Sequence, residues 1–178
     1  MRQTLIPHPD SQCPAVKWIV VEAARPTPTA LKLRYMLAGT IAELRLPPWA
    51  GAARTDKLWE HTCFELFLRP DATNAYLEFN FSPSTQWAAW RFRDKRNGKD
   101  DAADSLRPTI RFLASVEGIT LTANVENLPP TEMWQIGLSA VIEEKSGRKS
   151  YWALAHPPGE PDFHDPDCFT LELPAAPE

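Results

Sequence analysis

Carboxylates, an amide, guanidinium groups and indole rings recur at alternate positions between residues 59 and 93. Side chains of a β-strand alternate between its two faces, so alternate positions share a face. The positions that predict one shared polar and aromatic face are Trp59, His61, Cys63, Glu65, Phe67, Tyr76, Glu78, Asn80, Trp87, Ala89, Arg91 and Arg93. The other set of alternate positions is apolar, as Phe64, Leu66 and Phe79 illustrate, and predicts the core face.

This mixture of side chains favours a ligand with both polar and apolar sides, as sugars have. Flat aromatic rings match the C–H face of a sugar, and planar polar groups make paired hydrogen bonds to neighbouring hydroxyls. A turn between Glu60 and Thr62 would bring Trp59 over the sheet. The candidate ligand-binding residues on this face are Trp59, Glu65, Glu78, Asn80, Trp87, Arg91 and Arg93.

An alternative interpretation of the same face needs no ligand. The carboxylates Glu65 and Glu78 could pair with Arg91 and Arg93 across neighbouring strands, which stabilises a sheet by about 0.2–1 kcal/mol per pair. Both interpretations stay open at the level of the sequence, and the second would make the protein a structural or protein-interaction domain without a small ligand.

A second cluster of polar side chains lies between His156 and Asp167, a segment with two histidines, four carboxylates and four prolines. Such a rigid loop could form the wall of a pocket, with His156 and His164 as candidate ligand-binding residues. Trp152, just before it, is a candidate second aromatic wall, with core packing as its alternative. The loop itself could also be purely structural, or its clustered oxygens could bind Ca²⁺.

Two further chemistries use residue types that this chain contains. Paired carboxylates such as Glu65 and Glu78 carry out glycoside hydrolysis, but the sequence does not fix their separation. Met36, Met133 and the four histidines could ligate haem iron, but there is no Cys-Xaa-Xaa-Cys-His motif. We therefore expect a non-catalytic protein without a cofactor, and keep hydrolysis, haem and Ca²⁺ as alternatives.

The elements that would position these residues are short strands. Prolines separate about eleven alternating runs, because proline cannot donate to a sheet ladder and marks strand ends. Glycine turns predict two hairpins, one joining Leu31–Leu37 to Ile41–Leu46 and one joining Thr109–Val116 to Ile119–Val125. Many short strands without intervening helices predict an all-β fold, a jelly-roll-like sandwich of two antiparallel sheets.

Length and charge narrow the classes further. The 178 residues predict a single domain at 15–174, with tails at 1–14 and 175–178. A net charge of −4 argues against a nucleic-acid partner, and no apolar run is long enough to span a membrane. Three unpaired cysteines and the absence of an apolar leader predict a cytoplasmic location. Neither a protein partner nor an oligomeric state can be read from the sequence.

Three segments, LWEHTCFELFL, YLEFNFSPSTQWAAWRF and YWALAHPPGEPDFHDPDCFTLEL, resemble those of DOMON-like domains, which are allied to family 9 carbohydrate-binding modules. They cover about a third of the chain, in the same order and at the same spacing as in that group. The resemblance implies a β-sandwich that binds a ligand. Some members hold sugars between aromatic rings, with Glu, Asn and Arg on the hydroxyls, and others hold haem.

Overall fold

The computed structural model describes residues 1–70, 73–102 and 104–175, and nearly all of the regular structure there is β-strand. The strands are β1 (Arg2–Pro7), β2 (Val16–Thr27), β3 (Ala30–Gly39), β4 (Cys63–Pro70), β5 (Tyr76–Phe81), β6 (Trp87–Phe92), β7 (Asp100–Asp101), β8 (Thr109–Ala114), β9 (Gly118–Val125), β10 (Met133–Glu143), β11 (Lys149–Ala153) and β12 (Leu171–Pro174). Single 3₁₀ turns lie at Ile41–Glu43, Leu58–Glu60 and Pro166–Cys168. None of the helices in this described part of the chain is long and apolar enough to cross a membrane.

The strands form one continuous antiparallel sheet in the order β7-β6-β5-β4-β10-β11-β1-β2-β3-β9-β8, and β12 pairs with β10. The sheet folds back on itself, so that the Tyr35 hydroxyl of β3 donates to the carbonyl oxygen of Glu65 in β4 at 2.6 Å. The Tyr35 ring lies 5.1 Å from that of Phe64. The all-β prediction is therefore confirmed, whereas the division into two separate sheets is not, because hydrogen bonding runs through β1 from one half to the other.

The core lies between the two halves of the folded sheet. On β4 and β5 it takes the apolar positions that alternation predicts, including Phe64, Leu66 and Phe79, which are all almost completely buried. The second half contributes Ile19, Leu33 and their neighbours from β2 and β3. Since both faces of β4 and β5 are buried, the opposite face of these strands must also be covered.

The N-terminal segment differs from the prediction, because the sequence predicted a tail over residues 1–14. Arg2–Pro7 instead forms β1, which pairs with β2 through Arg2 to Leu5 and with β11 through Ile6 and Pro7. Only Leu5 of this strand is buried, so the sequence carries almost no alternation signal there. Of the expected C-terminal tail, 175–178, only Ala175 lies within the described residues, and its amide donates to the carbonyl of Glu132.

One of the two expected hairpins is also wrong. Ile41–Glu43 forms a 3₁₀ turn and Leu44 a single bridge to Glu144, so this segment is not the strand that the sequence predicted. The place beside β3 is taken by β9, which pairs with it from Leu31↔Val125 to Ala38↔Gly118. The second hairpin is present as β8 and β9.

The faces of β6 are reversed relative to the prediction. Glu78 lies opposite Trp90 and Phe81 lies opposite Trp87, and residues opposite each other share a face. Trp87 and Ala89 therefore join the core, while Trp90 and Phe92 share the face of Glu78. The turn is the cause, because Thr85 adopts a left-handed φ of 71° and the connection from Ser82 to Gln86 sets the register.

Candidate functional site

The face of β4, β5, β6, β10 and β11 that points away from the core is partly covered by the segment between β11 and β12. Phe169 of this segment stacks on Phe67 with ring centroids 5.8 Å apart, and Phe163 also packs there. Beside this cover the face remains open and forms a pocket of about 430 Å³. That volume is within the range of small-molecule sites.

Aromatic rings form much of the pocket lining. The 3₁₀ turn Leu58–Glu60 places Trp59 at the edge, where 37% of this residue is exposed. The sequence predicted a turn between Glu60 and Thr62, whereas the structure has the 3₁₀ turn two residues earlier, followed by bends at His61 and Thr62. The other aromatic residues of the lining are Phe67, Phe92, Tyr151, Phe163 and His164.

Glu65 lies on the floor of the pocket, where it is 3% exposed. The Ser139 hydroxyl donates to its Oε2 at 3.1 Å. Burial, with a smaller contribution from the nearby Glu78, raises the pKa of Glu65 to about 8. The side chain is therefore mostly a neutral carboxylic acid at neutral pH, and it can donate a hydrogen bond as well as accept one.

Glu78 is the second carboxyl group of the floor. Burial raises its pKa, while the hydrogen bond from Asn80 and the charges of Lys99 and Arg96 act in the opposite direction. The Asn80 amide donates to Glu78 Oε1 at 2.7 Å. Since Asn80 is fully buried and does not line the pocket, it positions Glu78 rather than reaching a ligand itself.

His164, from the segment between β11 and β12, lies in the pocket lining beside Glu78. The Arg96 backbone amide donates to the Tyr76 hydroxyl at 3.2 Å, and that oxygen lies 2.7 Å from His164 Nδ1. In this arrangement the hydroxyl can donate to Nδ1, which places the ring proton on Nε2. Burial, helped by the charge of Arg96, lowers the pKa of His164 to about 4. The ring is neutral at pH 7, so its 3.7 Å approach to Glu78 is not an ion pair.

Two cations reach the pocket from the segment after β6. The Lys99 ammonium lies 3.8 Å from the centre of the Trp90 ring and 5.1 Å from that of Trp59. Such cation–π contacts are worth about 0.5–1 kcal/mol at exposed sites. Arg96 lines the pocket too, and its guanidinium pairs with Asp162 at 2.8 Å.

Ion pairs join the two segments that form the pocket walls. Lys95 contacts Asp162 at 2.8 Å and Asp165 at 2.7 Å, and Arg96 also binds Asp162. Burial acts to raise the pKa of Asp162, but the hydrogen bonds from Lys95 and Arg96 outweigh it and lower the value to about 2. Asp162 is therefore ionised throughout the ordinary pH range, and it connects the segment after β6 to the segment after β11.

The substitution Asp162→Asn should loosen this connection. We expect faster amide exchange in residues 155–168 and weaker ligand binding. The free energy of unfolding should fall by about 2 kcal/mol or less, because the partners are largely exposed. Hydrogen exchange followed by mass spectrometry measures the first effect, with the exposed Asp10→Asn as control. Equal exchange in both variants would show that the ion pairs do not hold the wall.

The ten candidate residues from the sequence fall into two groups. Those that meet at the pocket, or directly support it, are Trp59, Glu65, Glu78, Asn80 and His164. Those that lie elsewhere are Trp87, Arg91, Arg93, Trp152 and His156.

Each residue of the second group has a structural reason for its position. Trp87 and Trp152 are buried in the core, and the Trp152 indole donates to Ser150 Oγ. Arg91 sits opposite Leu77 on the other face, and Arg93 is exposed beyond β6. The lattice of Glu65 and Glu78 with these arginines is therefore not formed. His156 Nε2 lies 2.9 Å from the carbonyl oxygen of Ile6, behind the wall that Phe163 forms.

Several residues that line the pocket do not follow from the sequence pattern. Arg96 and Lys99 belong to a run of mixed charge, and such a run predicts a solvated loop. Lys149 precedes Tyr151 by two positions in β11, so strand alternation alone could have placed both on one face. Phe163 lies within the segment expected as a possible wall, and that expectation agrees with its position.

Neither a comparison with protein-family models nor a comparison with curated proteins finds a match. Among solved structures, a proposed carbohydrate-binding protein from Bacteroides uniformis is similar at a TM-score of 0.66 and 14% identity, over 96% of this chain and 84% of the other. A family 9 carbohydrate-binding module from Caldicellulosiruptor kristjanssonii, solved in complex with cellotriose, is similar at a TM-score of 0.55 and 11% identity, over 88% and 74%. The chain therefore shares the all-β fold of these two proteins.

Proposed function

We propose that this protein is a non-catalytic binding protein whose pocket takes a carbohydrate or a sugar-derived small molecule. The observation that carries the proposal is the composition of the pocket. A partly exposed indole, Trp59, and the Tyr151 ring line the same open space as two buried carboxyl groups, Glu65 and Glu78. Aromatic rings suit the C–H face of a sugar, and the carboxyl groups suit its hydroxyls. The likeness in fold to carbohydrate-binding proteins supports the same proposal, as does the resemblance to DOMON-like domains.

A sugar panel in a thermal-shift assay tests this function. The panel should begin with cellotriose, since a structural neighbour was solved with that ligand. A sugar at about 100 times its dissociation constant should add about 2.7 kcal/mol to the free energy of unfolding. For a chain of this size that corresponds to a rise of about 5–10 °C in melting temperature. No shift and no heat of binding with any sugar would overturn the proposal.

Glycoside hydrolysis is a second candidate, and one observation favours it. Glu65 and Glu78 lie in one pocket, and the pKa of Glu65, at about 8, is that of a carboxyl group that could serve as an acid at neutral pH. Release of nitrophenol from a panel of nitrophenyl glycosides tests it. Turnover that disappears in Glu65→Gln would support hydrolysis. Stable binding of the intact sugar without turnover would support the non-catalytic function.

A further inference from the structure

The charges that line the pocket differ in sign from the chain as a whole. The chain carries a net charge of −4, yet three cations line this one pocket, namely Arg96, Lys99 and Lys149. Of the acidic groups in the lining, Glu60 already lies 3.6 Å from the ammonium of Lys57, and Glu65 is mostly neutral at pH 7. Glu78 is the third acidic group of the lining and faces the charges of Lys99 and Arg96, so three cations stand against at most two ionised carboxylates there.

Two of the three cations have partners within the protein. Arg96 pairs with Asp162, and Lys99 lies against Trp90 and Trp59, where it also acts on the carboxyl group of Glu78. These two residues therefore help to hold the pocket together. Among the described residues, the third cation has no contact of either kind.

Lys149 is that third cation. It begins β11 and lies opposite Glu143, whose two oxygens are already occupied by His61 at 2.7 Å and Arg45 at 2.9 Å. Across the described ranges, the Lys149 ammonium takes part in no ion pair or side-chain hydrogen bond. Lys149 is a partly buried residue of the pocket lining, and an ammonium without a protein partner at that place can pair with an anionic group of a ligand.

The surroundings of Lys149 restrict what that anion can belong to. Tyr151, two residues along the same face, offers an aromatic ring, and Glu65 and Glu78 offer acceptors and a donor for hydroxyl groups. A simple inorganic anion would leave those groups without a function. A sugar ring that carries a carboxylate would use all of them.

We infer that the pocket prefers sugar acids over the corresponding neutral sugars, and that Lys149 pairs with the carboxylate of the ligand. This inference rests on the proposed function and names the class of ligand for the same pocket. It predicts that binding weakens as salt concentration rises, because an ion pair near the surface is screened.

Matched pairs of sugars test the inference by calorimetry. Glucose is compared with glucuronate, and galactose with galacturonate, in the unaltered protein and in Lys149→Met. The uronates should bind about tenfold more tightly than the neutral sugars, and Lys149→Met should remove about that factor. Lys145→Met is the control and should keep the preference, because Lys145 is exposed outside the pocket on the turn that precedes β11.

The outcomes separate this inference from the function on which it rests. Neutral sugars that bind as tightly as uronates would overturn the preference and leave carbohydrate binding standing. Tighter binding of glucose 6-phosphate than of glucuronate would overturn the assignment of a carboxylate. An equal loss in Lys145→Met and Lys149→Met would overturn the role of Lys149. Binding of no sugar, charged or neutral, would overturn the proposed function itself.

Discussion

Replacing Glu65 by glutamine will stabilise the fold at alkaline pH, by up to about 5 kcal/mol at 1.4 kcal/mol per pKa unit. The carboxyl group of Glu65 is 3% exposed, and burial together with Glu78 raises its pKa from 4.5 to about 8. Ionising it inside the pocket therefore costs free energy that glutamine does not incur. The glutamine oxygen can still accept the hydrogen bond from Ser139.

The direction of the pH dependence follows from proton binding. Between pH 4.5 and about pH 8 the folded state holds a proton on Glu65 that the unfolded state releases, so stability falls as pH rises through this window. Below pH 4.5 Glu65 is protonated in both the folded and the unfolded state, so Glu65→Gln should have little effect on stability. His164 acts in the opposite sense, since burial lowers its pKa to about 4 and stability is lost as pH falls from 6.5. The contribution of His164 is present in both the unaltered protein and Glu65→Gln, so it cancels when their stabilities are compared at one pH.

Urea unfolding of the two proteins at about pH 5 and about pH 9 measures the difference. The gain in stability of Glu65→Gln should be small at the lower pH and large at the higher one. Glu172→Gln, an exposed carboxyl group on β12, serves as control and should change stability little at either pH. A gain that is the same at both pH values would mean that Glu65 is already ionised in the folded protein.

Strand alternation predicts much of the fold wherever two neighbouring strands pair without an irregularity. Phe64, Leu66 and Phe79 occupy the core as predicted, because a one-residue shift would move every apolar side chain to the wrong face. The same rule failed across the turn before β6. Thr85 takes a left-handed backbone there without the glycine that signals it, so nothing local marks the change in register.

The candidate site was predictable on β4 and β5 and much less so elsewhere. Glu65 and Glu78 follow from alternation, and Trp59 follows from the turn that precedes β4. Arg96 and Lys99 could not be found in this way, because ion pairs and ring contacts between distant segments hold them at the pocket. Such contacts depend on tertiary structure, whereas alternation depends only on the local strand.

Trp59→Ala will abolish stabilisation by a bound sugar and should destabilise the unliganded protein less than the loss of a core tryptophan does. The Trp59 residue is 37% exposed, and its ring lies against the ammonium of Lys99. Losing that contact should cost about 1 kcal/mol or less, and losing the apolar area that the ring buries should add about 1–2 kcal/mol. Losing the aromatic surface of the pocket should remove the whole ligand effect, which is about 2.7 kcal/mol at about 100 times the dissociation constant. Thermal unfolding with and without the sugar measures both quantities.

Trp87→Ala is the matched change, because it removes the same side chain from the opposite face of the same half of the sheet. Trp87 is 6% exposed and belongs to the core, so its loss should cost about 3–5 kcal/mol with or without sugar. The fraction of the Trp87→Ala variant that remains folded should still be stabilised by the ligand. If Trp59→Ala were instead as destabilising as Trp87→Ala, Trp59 would be a packing residue. If it kept the full ligand shift, the sugar would bind away from this pocket.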